Sequence, residues 1–206
     1  MSELHTELHT AAFCGDSEAA QELIDNGADV NANGVGGETP LFKAVRQRHT
    51  EIAQLLIDNG ANVDGKNNWG TTPLQQAALN GDTEIVNLLI SNGAEINLQD
   101  NFGGIALNSS ISKDCTKDRI KIIKILIDNG SDVNKQEATK LHTPLHDAVL
   151  WGHKEVVDIL MSNGADINIE DMFGRTPLCL AKFKGHTKVA DLLKAAMKKQ
   201  KENRKD

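Results

Sequence analysis

Thr72-Pro73-Leu74-Gln75-Gln76-Ala77-Ala78-Leu79-Asn80-Gly81-Asp82 reads as the start and stop of one short helix. Threonine can cap a helix start through its side-chain oxygen. Proline at the next position has no N–H to waste and presets the helical φ. The apolar run that follows carries paired alanines, which let two helices approach closely. Asn80-Gly81-Asp82 then breaks the helix. Downstream, Ile85, Val86, Leu88, Leu89 and Ile90 fall at helical spacing, so a second helix is expected. Asn92-Gly93 ends it, with glycine free to turn left-handed. Ala94-Glu95-Ile96-Asn97 leads, extended, into the next turn.

The same text returns along the chain. Thr39-Pro40-Leu41, Thr143-Pro144-Leu145 and Thr176-Pro177-Leu178 repeat the start. Asp25-Asn26-Gly27-Ala28, Asp58-Asn59-Gly60-Ala61, Ser91-Asn92-Gly93-Ala94, Asp128-Asn129-Gly130-Ser131 and Ser162-Asn163-Gly164-Ala165 repeat the end. Anchored on Thr6, Thr39, Thr72, Ile105, Thr143 and Thr176, the steps are 33, 33, 33, 38 and 33 residues. One such helix pair cannot bury its apolar face alone, but a stack can.

The 33-residue period, with Thr6-Glu7-Leu8-His9-Thr10-Ala11-Ala12 and Thr143-Pro144-Leu145-His146-Asp147-Ala148 matching T-P-L-H-x-A, resembles the ankyrin repeat family. The resemblance covers residues 1 to about 197. It implies an all-α repeat solenoid, elongated and curved, in which helix–turn–helix units are joined by β-hairpin loops. Six units are expected at 1–33, 34–66, 67–99, 100–137, 138–170 and 171–197, followed by a basic C-terminal tail over 198–206.

Four departures stand out. The first unit has Glu7 in place of proline and the last ends in Ala195-Ala196-Met197, so both ends read as capping units, which would leave no room for a catalytic domain on either side if the chain is full length. Unit four carries Ile105-Ala106-Leu107 where the others have Thr-Pro-Leu, and so loses its cap. The same unit is five residues longer than the others, with four extra residues within Ser112 to Arg119 and one in the hairpin near Glu137. Unit five has Leu141 where glycines 37, 70, 103 and 174 stand elsewhere. A locally irregular stack is expected at units four and five, either as drift in a surface loop or as a specificity element.

Composition narrows the function classes. Apolar residues at 39% and charged residues at 25% exclude wholesale disorder and collagen. No apolar run exceeds four residues, which excludes a membrane-spanning helix, and the N-terminus lacks the regions of a secretory signal. Three irregularly spaced cysteines form no disulfide framework, so a cytoplasmic or nuclear, reducing setting is expected. Metal binding is not expected, because the histidines follow the repeat: His9 and His146 take the motif's own histidine position, and His49, His153 and His186 share a second one. Asn33-Gly34-Val35-Gly36-Gly37 lacks the lysine of a phosphate loop. Cys14, Cys115 and Cys179 show no sign of activation. Neither a catalytic set nor a cofactor is expected, and the chain reads as a non-enzyme.

The ankyrin resemblance implies a concave binding face built from hairpin tips and first helices, at positions 2, 3, 5, 13, 14 and 33 of each unit. Of seven aromatics, Trp69, Phe102 and Phe173 take position 3, Phe13 and Phe183 position 13, and Trp151 position 14; Phe42 alone lies elsewhere. Aromatic side chains dominate binding hot spots. The acids on these positions are Glu3, Glu38 and Glu170; the bases are Arg46, Lys66, Lys113, Lys140, Arg175 and Lys184. That face is net +3 while the whole chain is −7. The excess fits either scattered solvated charge or a field that steers an acidic partner. The expected function is an adaptor, scaffold or inhibitor that binds a partner protein through Trp69, Phe102, Trp151, Phe173, Phe183, Arg46, Lys113 and Arg175. The chain is expected to be monomeric, without nucleic acid or membrane as partner. Two alternatives stand beside it. Asn31, Asn97, Asn134 and Asn168, each eight residues after a leucine and behind an acidic residue and Val or Ile, resemble the ankyrin asparagines modified by an asparaginyl hydroxylase. An effector of an intracellular microbe, acting by binding a host protein, is the other.

Overall fold

Four helices begin where Thr-Pro says they should. In a computed structural model, which describes residues 2–202, Pro40, Pro73, Pro144 and Pro177 are first residues of helices and the preceding threonines are their caps. Thr39 Oγ1 accepts from Phe42 N–H at 3.1 Å and Thr72 Oγ1 from Gln75 N–H at 3.2 Å. At the second cap the Gln75 side chain returns the bond, its Oε1 accepting from Thr72 N–H at 2.8 Å. Each cap is worth about 1 kcal/mol.

Twelve α-helices form six consecutive pairs among the described residues, and no strand is present among them. They divide into two compact units, the boundary falling between Asn101 and Phe102. The N-terminal unit holds α1 (Ser2–Cys14), α2 (Ser17–Asp25), α3 (Pro40–Gln47), α4 (Thr50–Asp58), α5 (Pro73–Asn80) and α6 (Thr83–Ser91). The C-terminal unit holds α7 (Ala106–Ser110), α8 (Lys117–Asp128), α9 (Pro144–Trp151), α10 (Lys154–Ser162), α11 (Pro177–Phe183) and α12 (Thr187–Glu202). Within each unit the first helices of the pairs pack in one layer, α1 on α3 on α5 and α7 on α9 on α11. The second helices pack in another, α2 on α4 on α6 and α8 on α10 on α12.

The core is the repeat made solid. Leu8, Leu41, Leu74, Leu107 and Leu145 share one register position and are all buried. Ile52, Ala53 and Leu56 recur as Ile85, Val86 and Leu89, as Ile122, Ile123 and Leu126, and as Val156, Val157 and Leu160, also buried. Each large aliphatic side chain contributes roughly 1.5–3 kcal/mol by leaving water. His49, His153 and His186 stand just before second helices, and each reaches back to a carbonyl of the preceding pair: Phe13 at 3.1 Å, Ser112 at 2.7 Å and Leu150 at 3.2 Å.

The hairpin loops are turns rather than strands. Each is closed at its base by one backbone bond, Gly34 N–H to Glu38 C=O, Asn67 to Thr71, Glu137 to His142 and Asp171 to Arg175. Successive tips are linked by single bonds, Asn68 N–H to Gly36 C=O and Asn101 to Trp69 in the N-terminal unit, Ala138 to Phe102 and Met172 to Lys140 in the C-terminal unit.

Three irregularities have local causes. Helix α1 starts at Ser2, so Thr6 is not a cap but lies inside the helix; Glu7 lacks the proline ring that forces the residue before it out of helical conformation. Helix α7 keeps only five residues. Ile105 offers no side-chain cap, and Ser109 and Ser110 turn their hydroxyls onto the carbonyls of Ile105 and Leu107, competing with the helix. The inserted residues, with those that α7 gives up, are taken up by the loop over 111–116 and by a longer α8. At the other end α12 runs to Glu202, beyond Met197 where the repeat domain reads as ending, so the first part of the tail is helix; residues 203–206 lie outside the described ones.

Candidate protein-binding surface

Aromatic exposure follows register closely. Phe13, Trp69, Phe102, Trp151, Phe173 and Phe183 are all exposed, from 42% for Trp151 to 72% for Phe183, while Phe42, off those positions, is 1% exposed. The turn at the base of each hairpin presents the position-3 rings. Asn67 Oδ1 accepts from Trp69 N–H and Thr71 N–H, both at 3.0 Å. Asp171 Oδ1 accepts from Phe173 N–H and Arg175 N–H, both at 2.9 Å. A short polar side chain that bonds its own backbone two residues on is the mechanism of such turns. The hairpin of 137–142 carries one extra residue and uses the longer Glu137, whose carboxylate accepts from Thr139 N–H at 2.8 Å and Lys140 N–H at 2.6 Å, and from the Thr139 hydroxyl. Burial opposes ionisation of Glu137, but these bonds and that from His142 N–H outweigh it and hold the carboxyl below its ordinary range.

The charged members of the site are less free than their register suggests. Glu38, an exposed acid by position, is 4% exposed. Lys43 Nζ and Arg46 Nη1 fold over it at 2.9 Å and 2.6 Å, and His9 Nε2 bonds its carbonyl at 3.0 Å. Arg46 is thus paired inside its own unit, its guanidinium 6.0 Å from the Phe13 ring. Arg175 is paired as well: Nε and Nη2 lie 2.8 Å and 2.7 Å from Oδ2 of Asp171, whose side chain is fully buried. Burial raises the Asp171 pKa, yet the Arg175 side-chain bond, the two backbone N–H groups and the Arg175 charge together hold it below the ordinary carboxylate value. The Arg175 guanidinium stacks 4.6 Å from the Phe173 centroid and 5.6 Å from that of Phe183, and Lys184 Nζ lies 5.8 Å from the latter ring. Lys113 is exposed in the loop between α7 and α8.

Phe173, Arg175 and Phe183 are therefore one cluster in the C-terminal unit, and Phe13 and Arg46 a looser one in the N-terminal unit. The N-terminal cluster borders a cleft of about 490 Å³ lined by His5, His9, Phe13, Val35 and Lys43 among others. The two units differ in charge. Residues 1–101 carry fifteen acidic and four basic side chains, net −11; residues 102–206 carry fourteen and eighteen, net +4. Sequence reasoning missed Asp171 and the burial of Glu38. For Asp171 a signal was present, an Asn or Asp two residues before the aromatic of the tip; for Glu38 none was.

Among the described residues no three of His, Cys, Asp and Glu converge as metal ligands, and no helix is long and apolar enough to cross a membrane. The three cysteines are free thiols. Asn31 and Asn134 are held at both ends of the amide: Nδ2 donates to Gly60 C=O and Gly164 C=O, and Oδ1 accepts from Asn62 N–H and Asp166 N–H. Asn168 bonds within its own turn, to Asp166 Oδ1 at 3.0 Å.

A family model described as ankyrin repeats (3 copies) matches residues 8–100 and again 101–171. The chain is 43% identical over 58 residues to the ARF GTPase-activating protein Git of Drosophila melanogaster, covering 28% of this chain and 8% of that protein. It is 43% identical over 53 residues to the E3 ubiquitin-protein ligase XBAT33 of Arabidopsis thaliana, covering 26% and 10%. With the ankyrin repeat-containing protein P1E11.10 of Schizosaccharomyces pombe it shares 51% identity over 37 residues, 18% of each. The chain spans less than a fifth of the length of these curated relatives.

Proposed function

Because this chain belongs to the ankyrin repeat family, whose repeats are generally protein–protein interaction modules, we propose that it is a non-enzymatic adaptor, scaffold or inhibitor holding a partner protein on its hairpin tips and first helices. One observation carries the reading: six of seven aromatic rings stand exposed at those positions and the seventh is core. A packed helix stack holds its side chains in place before a partner arrives, so docking costs little ordering entropy. Trp151, Phe173 and Phe183 are the anchors, and Trp69 and Phe102 extend the contact in their own units. Arg46 and Arg175, being internally paired, shape the surface more than they reach from it. Among the described residues Lys113 is exposed and makes no ion pair.

The shared stretch is a tenth or less of the Drosophila and Arabidopsis relatives, so their printed activities are not carried over. The free thiols suit a reducing compartment, cytoplasmic or nuclear, and we take the chain to act as a monomer. Affinity capture from the native cell, wild type against Trp151→Ala/Phe183→Ala, tests the site. Specific proteins retained by the first and lost by the second are expected; equal recovery would discard the assignment.

A second reading concerns modification. Asn168, unlike Asn31 and Asn134, has its amide bonded only within its own turn among the described residues and is exposed, which leaves it accessible to an asparaginyl hydroxylase.

A further inference from the structure

Resting on that binding reading, we infer that the C-terminal unit takes an acidic peptide segment bearing at least one large apolar side chain, seated on Phe173, Arg175 and Phe183. The guanidinium is built into the surface in advance. Asp171 takes Nε and Nη2, and the Phe173 and Phe183 ring centroids lie 4.6 Å and 5.6 Å from the guanidinium carbon. The third nitrogen, Nη1, makes no hydrogen bond within the described residues. A carboxylate can therefore bond Arg175 without paying the rotamer entropy of a free arginine.

The rings supply the apolar half. Phe173 is 66% and Phe183 72% exposed, and Met172 and Leu141 are exposed on the neighbouring hairpin tips, which are joined by the Met172–Lys140 backbone bond. Charge decides the class of partner. Asp171 neutralises Arg175 formally, but Lys184 beside Phe183 and Lys140 on the adjoining tip are exposed and make no ion pair among the described residues, against Glu170 as an exposed acid of the same hairpin. The whole unit is net +4. The N-terminal unit, at −11, repels the same ligand, so the acidic segment is directed to one half of the chain. Nucleic acid fits less well, because its dense phosphate charge needs many cations and the unit is only net +4.

The test selects a random dodecapeptide phage library on the whole chain and then compares the enriched phage on wild type and Phe183→Ala. A synthesised winner is then measured by fluorescence anisotropy at low and high salt. Enriched peptides are expected to pair Asp or Glu with Leu, Phe or Trp, and binding should weaken several-fold at high salt. Phe183→Ala and Arg175→Lys should each weaken it by about tenfold. Arg175→Lys keeps a cation against Asp171 while losing the planar fork, and thermal melts establish that both variants are folded. Neutral or basic winners that still depend on Phe183 would overturn the acidic partner and leave the binding surface standing. Winners indifferent to Phe183, or no enrichment at all, would overturn both. Tighter binding of a labelled single-stranded oligonucleotide than of any peptide would reassign the surface and overturn the inference.

Discussion

The imidazoles of His142 and His146 are stacked, 5.4 Å between centroids and 14° from parallel. His146 bonds from both nitrogens: Nδ1 accepts from Thr143 N–H at 3.3 Å and Nε2 donates to Arg175 C=O at 3.1 Å. That pair of roles defines the neutral tautomer. Burial lowers the His146 pKa below its ordinary 6.5, and the neighbouring His142 pushes the same way, against the Arg175 carbonyl and the carboxylates of Asp171 and Asp147.

The unfolded imidazole of His146 thus takes its proton before the folded one. The contribution of the neutral His146 to stability is full above about pH 6.5 and is lost as the pH falls through the lower folded value. Urea midpoints should drop between pH 7.5 and 5.5. His146→Gln should flatten that slope and cost no more than about 1 kcal/mol at neutral pH, since Gln75 performs the same cap at the same register. An unchanged slope in the variant would assign the effect to another group.

Leu141 stands at φ +55°, where Gly37, Gly70, Gly103 and Gly174 stand at +69° to +78°. A side chain there strains the backbone by roughly 1 kcal/mol. Leu141→Gly should raise stability by about 0.5–1 kcal/mol, since the leucine is partly exposed. Gly70→Ala should do the reverse and cost about 2 kcal/mol or more, because its Cβ would fall 2.8 Å from the backbone nitrogen of Asn101. Chemical denaturation of the two variants checks the contrast, and a destabilised Leu141→Gly would show that the side chain holds the loop.

Asp171→Ala should cost about 2–4 kcal/mol, because it strips a buried acceptor from Arg175 and from two backbone N–H groups. Asp171→Asn should cost less, keeping an acceptor for the turn. The lowered Asp171 carboxyl adds a second acid window: its contribution is present above about pH 3.8 and fades as the pH falls through the folded value. Melting curves of the three forms between pH 7 and pH 3 provide the measurement, and parallel curves for wild type and Asp171→Asn would remove Asp171 from the acid response.

If an asparaginyl hydroxylase acts on the chain, Asn168 should carry the added oxygen and Asn31 and Asn134 should not. Their amides must leave bonds to Gly60 and Gly164 before reacting. Peptide mass spectrometry after incubation with the enzyme reads this directly; modification at Asn31 ahead of Asn168 would contradict it.

Much of the molecule was legible residue by residue. Thr-Pro starts, Asn-Gly ends and the irregularity around Ile105 and Leu141 are local effects, decided within about four residues, and they recur where the text recurs. The exposure of the aromatics also follows register, since each repeat places the same position on the same side of its turn. The charged part of the surface did not follow. Arg46 and Glu38 look like opposed surface charges, yet the acid is buried under the base.

What the sequence alone determined, then, is the period, the paired helices, the apolar layers and the positions at which rings would be shown to solvent. Tertiary structure alone decided which charges are paired internally, that Asp171 holds Arg175 close to two phenyl rings, and that the imidazoles of His142 and His146 stack on each other. The physical reason is range. Capping and helical periodicity act between neighbours along the chain, whereas the state of a long charged side chain depends on which distant carboxylate or ring its flexible end can reach once the helices are packed.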